Sequence, residues 1–315
     1  MSRRRGTKDP AASIRGRLGE LARTRGLELQ LVLSEFTIER LLYRLGVSAY
    51  AGSWVLKGAT LIRFWSGDER RATWDLDLLA HGASGVDDVV AVVRELCGIA
   101  VDDGIEFDAG SVAGEEIGTL DDYPGVRVRL VARLAGARIP VQVDVGFGDA
   151  VVPRPKREIL PSLLGHDPPS VLVYPREAVV AEKVEAMLSL GVTNSRMKDF
   201  YDVHRLAEAC AFDGETLVRA VRATFERRRT PFPVGEPLVL APGFLAAPER
   251  QIQWRAFLRR GRLASTPDAD EVIEGLRRFL LPVLAGAAGG SRFDALWSPR
   301  GPWQAASAGG RHESA

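Results

Sequence analysis

Two aspartates stand one residue apart in Trp74-Asp75-Leu76-Asp77-Leu78. On a strand, residues two apart point to the same face, so Asp75 and Asp77 would bring two carboxylates close together. Like charges at that separation cannot both ionise easily unless a cation lies between them. Mg²⁺ suits the place, because it takes oxygen ligands and is held by one or two carboxylates together with substrate phosphates. Upstream stands Leu56-Lys57-Gly58-Ala59-Thr60, with fourteen residues between Thr60 and Asp75. Gly58 falls between a short apolar run and a helical pattern. A glycine there lets backbone approach a phosphate, and the N–H groups that open a helix favour anions. A phosphate-receiving turn followed by a metal-holding strand is a plan for nucleotidyl transfer from an NTP. A bare Asp-x-Asp also arises as ordinary surface alternation, and a lone Lys-Gly turn says less still. Their order carries the reading.

Three more charged residues bear on it. Asp144 interrupts the apolar alternation of Val141-Gln142-Val143-Asp144-Val145. Burying an unpaired carboxylate is costly, so Asp144 is either a metal ligand beside Asp75 and Asp77 or an exposed residue on a half-solvated strand. Lys183 has Val179 and Met187 as its i±4 neighbours, which turns its ammonium toward an apolar stripe. It is either a point charge for triphosphate oxygens or a paired charge at a helix edge. Asp199 precedes Val203 by four residues and Leu206 by seven, on a packed face, with the same two alternatives.

The elements that must hold these residues follow from periodicity. Helical patterns run over 11–25 and 29–45, a short apolar run over 53–56, a helix over 60–65, a strand over 74–80 and a helix over 86–99. Strand-like stretches follow at 105–117, 125–134 and 138–147, the last two joined by Ala135-Gly136-Ala137 as a hairpin. From Pro175 the patterns are helical, over 176–190, 196–209, 214–227, 248–260 and 268–284. The chain thus reads as an α+β protein in four parts. These are an N-terminal arm and helix (1–28), an α/β domain (29–160), a helical domain (170–285) and a Gly/Ala/Ser-rich tail (286–315) expected to be disordered.

Bulk properties set limits. The 315 residues carry 42 Lys+Arg against 41 Asp+Glu, a formal net charge of +1, so any nucleic-acid contact must be a local patch. Arg222, Arg227, Arg228 and Arg229, or Arg255, Arg259, Arg260 and Arg262, are the candidates. Two cysteines, Cys97 and Cys210, make neither a disulfide framework nor a zinc site. No apolar run approaches the ~20 residues of a membrane span, and the basic start MSRRRGTKDP leads into no apolar segment. A cytoplasmic protein with no membrane partner is the expectation.

Taken together, several segments resemble the AbiEii toxin family of nucleotidyltransferases, which includes the MenT toxins. They are Arg44-Leu45, Val55-Leu56-Lys57-Gly58-Ala59-Thr60, Arg71-Ala72-Thr73-Trp74-Asp75-Leu76-Asp77-Leu78, Val141 to Gly146, Glu182-Lys183-Val184-Glu185-Ala186 and Arg196-Met197-Lys198-Asp199-Phe200-Tyr201-Asp202. The resemblance implies a DNA polymerase β-like nucleotidyltransferase domain with a mainly helical C-terminal region. It implies a toxin with a cognate antitoxin encoded nearby. For MenT-like members it implies transfer of a nucleotide from an NTP to the 3′ end of tRNA, which blocks translation. Carried over by position, Asp75 and Asp77 are the metal pair, joined by Asp144 if that residue is a ligand. Asp75, Asp77, Lys183 and Asp199 are then the catalytic set. Lys57, Gly58, Thr60, Thr73 and Lys183 are the nucleotide contacts, and Thr73 holds a hydroxyl position that some antitoxins modify. One departure stands out. Many members have Gly-Gly or Gly-Ser where this chain has Gly58-Ala59, so the phosphate contact would fall to backbone N–H groups or to Thr60. Two other readings remain: a nucleotide-binding regulator of the same fold without turnover, and a transferase acting on a protein or small molecule.

Overall fold

The computed structural model describes residues 10–67, 74–82, 84–118, 124–261, 263 and 268–306. The chain divides into two compact units. The first comprises Met1–Thr60, Ala72–Gly148 and Lys156–Val173, and the second Leu61–Arg71, Asp149–Pro155 and Tyr174–Ala315.

In chain order the first part of the protein runs α1 (Pro10–Arg25), α2 (Leu29–Gly46), β1 (Trp54–Lys57), α3 (Ala59–Ser66), β2 (Asp75–Ala80), α4 (Val86–Gly98), β3 (Glu106–Gly118), β4 (Pro124–Leu134), β5 (Ala137–Phe147), β6 (Lys156–Ile159) and β7 (Ser170–Val173). The strands form a mixed sheet in the order β3-β4-β5-β2-β1-β7-β6. β2 lies parallel to β5 and β1 parallel to β7, and the other neighbours are antiparallel. The expected β4–β5 hairpin forms, with Leu134 paired to Ala137 across a two-residue turn. Ala135 and Gly136 both take positive φ there, 45° and 79°, as the twist of tight hairpins requires.

Alternation sorts the sheet into two faces. Leu76 and Leu78 of β2, Val126 and Val128 of β4, and Val141, Val143 and Val145 of β5 are buried. This face packs on the helices. Gly114 pairs with Val128, and Val128 with Val143, and a Cβ on Gly114 would lie 2.6 and 2.8 Å from Val90 and Val86 of α4. α2 packs against β5 and β7. Within α2, Arg40 and Arg44 are buried with Asp103, which accepts from Arg40 Nε at 2.9 Å and from an Arg44 terminal nitrogen at 2.6 Å. Burial would raise the Asp103 pKa, and the bonds from Arg44 and Arg40 hold it below its usual range. α1 packs on α2 within the same unit, so the segment expected to be a separate arm and helix includes part of this unit's core.

The second unit holds α5 (Arg176–Leu190), α6 (Met197–Ala209), β8 (Phe212–Asp213), α7 (Gly214–Arg228), α8 (Pro248–Gly261), α9 (Ala269–Gly289), β9 (Ala295–Trp297) and β10 (Trp303–Ala305). Asp213 caps α7 by accepting from the Thr216 N–H at 2.8 Å.

Within the Pro-rich segment near 155–175 where the boundary is expected, the change of unit falls at Val173/Tyr174, because β6 and β7 add to the first sheet. One expectation is corrected. The expected disordered tail is ordered through residue 306: α9 continues to Gly289, and β8, β9 and β10 make a small sheet. Aromatic burial outweighs the Gly/Ala/Ser composition. The Phe279 ring lies 5.0, 4.9 and 5.7 Å from those of Phe212, Trp297 and Trp303. The Trp297 and Trp303 indoles donate to the backbone carbonyls of Ala207 and Phe279 at 2.8 and 2.9 Å. Residues 307–315 of that tail lie outside the described residues.

Candidate functional site

The sheet face opposite α4 carries a single register row of charge. Glu115 pairs with Arg127, Arg127 with Asp144, Asp144 with Asp77, and Asp77 with Lys57, across five strands. Asp75 stands two residues along β2, beside Gln142. Asp75 and Asp77 are half-buried while Leu76 between them is buried, so the expected convergence of the two carboxylates on one face is what the strand makes.

Gly58 explains why the turn has this residue. Its φ is +77°, and a Cβ built on it would lie 1.9 Å from the Asp77 Oδ2. The Asp77 carboxylate therefore rests against the bare Cα, where any other side chain would displace it. α3 begins at the next residue, so its opening N–H groups lie beside that carboxylate's turn. Thr60 Oγ1, in the first turn of α3, is buried and has no hydrogen-bond partner among the described residues. Such an atom costs stability unless something supplies a partner. Thr73, expected as a nucleotide contact, lies outside the described residues.

Asp144 is half-buried and ion-paired. Arg127 grips both of its oxygens, Nε to Oδ1 at 2.8 Å and a terminal nitrogen to Oδ2 at 2.7 Å. Gln142 adds a bond at 3.4 Å. The hydrogen bonds to Asp144 raise the Arg127 pKa, with the nearby Asp75 charge adding to the effect. Among the described residues no group of three or more His, Cys, Asp or Glu side chains is arranged to hold a metal ion. Asp75 and Asp77 fit Mg²⁺ as a two-carboxylate site of the kind completed by phosphates and water. Asp144, in register beside Asp77, could join them only through the lone pairs that Arg127 leaves it.

Lys183 and Asp199 belong to the second unit. Lys183, on α5, donates to Asp199 Oδ1 at 2.8 Å and to Asp202 Oδ2 at 2.9 Å, both on α6. The two carboxylates are 0% and 1% exposed, and the lysine 14%. Burial would lower the lysine pKa, but the charges of Asp199 and Asp202 outweigh it and raise it. Asp199 sits in the first turn of α6, where the helix dipole favours an anion. Arg196 Nε approaches its other oxygen at 2.8 Å. Sequence reasoning missed Asp202, although its i+3 spacing from Asp199 places both on one helical face. It also missed a second knot, in which Arg228 donates to Glu185 at 2.6 Å and Tyr174 to Asp149 at 3.0 Å. No local signal could have found those partners, which lie 43 and 25 residues apart. Arg228, one of the arginines considered for RNA contact, is thus consumed inside the unit. Arg222 likewise bonds the carbonyls of Ala287 and Gly286 at 3.3 and 3.2 Å. Arg262 lies outside the described residues.

A carboxylate pair on a mixed sheet, beside a glycine turn that opens a helix, is the arrangement that nucleotidyl transfer calls for. The chain belongs to the AbiEii family, described as nucleotidyl transferase AbiEii toxin of type IV toxin–antitoxin systems, whose model matches residues 40–275. Among solved structures the chain is similar to JHP933 from Helicobacter pylori, at 15% identity and TM-score 0.41 over 76% of this chain and 96% of that one. A putative nucleotidyltransferase from H. pylori gives the same identity, TM-score and share of this chain, over 100% of its own. An antigenic nucleotidyltransferase-like protein from Paracoccidioides brasiliensis is 14% identical, at TM-score 0.36 over 76% of this chain and 91% of that one. No curated protein matches. Among the described residues no helix is long and apolar enough to cross a membrane.

Proposed function

We propose that this nucleotidyltransferase toxin transfers a nucleoside monophosphate from an NTP to an RNA acceptor, the 3′ end of tRNA, and so blocks translation. The observation that carries the reading is the Asp77 carboxylate seated on Gly58, with Asp75 on the same face. Asp75 and Asp77 would hold Mg²⁺, which when bound would offset the charge of the triphosphate and of the departing pyrophosphate. The chain's own part is positional. The Gly58 turn and the first N–H groups of α3 receive phosphate oxygens, Thr60 Oγ1 gains the partner it lacks, and the β2 register keeps the carboxylates on one face. A bond then forms between the RNA 3′ oxygen and the α-phosphorus as the bond to pyrophosphate breaks. A cognate antitoxin would act on this chain in the cell.

A second reading, a nucleotide-binding regulator without turnover, is favoured by one feature: Asp144 and Lys183 are already engaged by Arg127 and by Asp199 and Asp202. Incubation with total RNA, each labelled NTP and Mg²⁺ separates the two. Transfer is expected to label tRNA and release pyrophosphate, and Asp75→Asn is expected to lower it by about three orders of magnitude or more with the melting temperature unchanged. Nucleotide binding with no pyrophosphate release would instead establish the regulator.

A further inference from the structure

α8 is held to the rest of the second unit along one side. Trp254 is buried there, and the rings of Trp254 and Phe257 lie 6.5 and 5.5 Å from that of Tyr201 on α6. Arg250 stacks on the Phe244 ring and donates to the Val192 carbonyl at 2.8 Å. At 3.6 residues per turn, positions 252, 255 and 259 fall on the side away from Trp254 and Phe257, with 260 at its flank. Ile252, Arg255, Arg259 and Arg260 are all exposed, Ile252 to 68%.

The charge on that side is unbalanced. The one acid of α8 is Glu249, in the first turn. Arg255 reaches a neutral amide, that of Gln251, at 2.9 Å. None of the three arginines has an ion-pair partner among the described residues. Elsewhere on the surface, arginines stand beside acids: Arg129 is 2.7 Å from Glu115, Arg292 2.8 Å from Asp294 and Arg300 3.4 Å from Glu208. The helix dipole favours Arg259 and Arg260, which lie in the last turn. It does not favour Arg255 a turn earlier, and two like charges four residues apart weaken a helix. A bound polyanion would relieve that repulsion. Of the two arginine clusters that the sequence offers for RNA, that of α7 has Arg222 and Arg228 engaged inside the unit, which leaves α8.

We propose that the outward side of α8 holds the RNA acceptor by its phosphates, through Arg255, Arg259 and Arg260. The surface rests on the RNA reading given above. It tracks the backbone and reads no sequence, because guanidinium–phosphate contacts carry none. Its part is to raise the affinity for RNA as a whole, and the nucleotide is untouched by it.

Filter binding of labelled bulk tRNA to the full chain, between about 50 and 200 mM salt, tests this, with poly-glutamate as competing polyanion. The unaltered chain should bind tRNA, with affinity falling steeply as salt rises. The Arg255→Gln/Arg259→Gln/Arg260→Gln variant should bind about tenfold more weakly or worse, and the slope of log affinity against log salt should shrink by about 2, from three contacts at roughly 0.7 each. Its melting temperature should hold, since the three side chains are exposed and repel one another. Arg15→Gln/Arg17→Gln/Arg23→Gln, which removes the same charge from exposed positions of α1, should bind tRNA like the unaltered chain. In the transfer assay the α8 variant should raise KM for tRNA and leave KM for NTP unchanged. A chain that binds tRNA through α8 but releases no pyrophosphate would sink the transfer reading and leave this surface standing. Full tRNA binding by the α8 variant, an equal loss in the α1 variant, or displacement of tRNA by poly-glutamate at equal charge would each overturn the proposal, the last by pointing to an acidic protein.

Discussion

Each unit contains a pair of closely spaced aspartates near a lysine in register or in contact, and the two arrangements have opposite physical characters. In the first, Asp75 and Asp77 sit half-buried on a strand, one of them pressed against a glycine that leaves it room. In the second, Asp199 and Asp202 are almost wholly buried around Lys183. Half-buried carboxylates stay within reach of solvent, whereas Asp199 and Asp202, closed around Lys183, join α6 to α5. Residue type does not distinguish these surroundings. Burial does.

Replacing Lys183 is the harshest way to break the contrast. Lys183→Met leaves two buried carboxylates facing each other, and removing one partner of a buried ion pair costs about 3–5 kcal/mol. The expected result is a large fall in melting temperature, with part of it recovered by adding Asp199→Asn and Asp202→Asn. A Lys183→Met protein that melts normally but has lost transfer would show instead that the lysine serves a phosphate and the contrast is mistaken.

Gly58→Ala sharpens the other side. The left-handed backbone alone costs an L residue roughly 1–2 kcal/mol, and the new Cβ must push Asp77 aside. Transfer should drop by about a hundredfold or more, while a chain carrying Ala59→Gly, one residue on, keeps most of its activity. Equal behaviour of the two variants in a pyrophosphate-release assay would mean that the cradle does not matter.

Arg127→Gln is the gentlest. Arg127 is 30% exposed and Asp144 18%, so stability should change by about 1 kcal/mol or less. If Asp144 stays outside the metal site, the Mg²⁺ concentration for half-maximal transfer should move by less than about threefold. A larger move toward tighter Mg²⁺ would bring Asp144 into the ligand set and narrow the distance between the two regions.

Much of this was readable in advance, for identifiable reasons. The β2 strand and its two carboxylates follow from period-2 alternation, which is local. The β4–β5 hairpin follows from the Ala135-Gly136 turn. α5 has the range that periodicity gives it, Arg176–Leu190, and α6 differs by one residue at its start. By contrast β6 and β7 are four residues each, too short for any periodic signal. The order of residues 286–306 depends on rings from three separate segments meeting around Phe279, and the local composition points the other way.

The amino-acid sequence alone was enough to place two carboxylates on one face of a strand and a glycine turn ahead of a helix, because side-chain direction along a strand and the freedom of a glycine are properties of the local backbone. The fates of Asp144, Lys183 and Arg228 were decided only by the fold. Their charges are settled by Arg127, by Asp199 and Asp202, and by Glu185, partners brought near by strand register and helix packing. Electrostatic energy depends on distance in space and on burial, and neither is written in the spacing of residues along the chain.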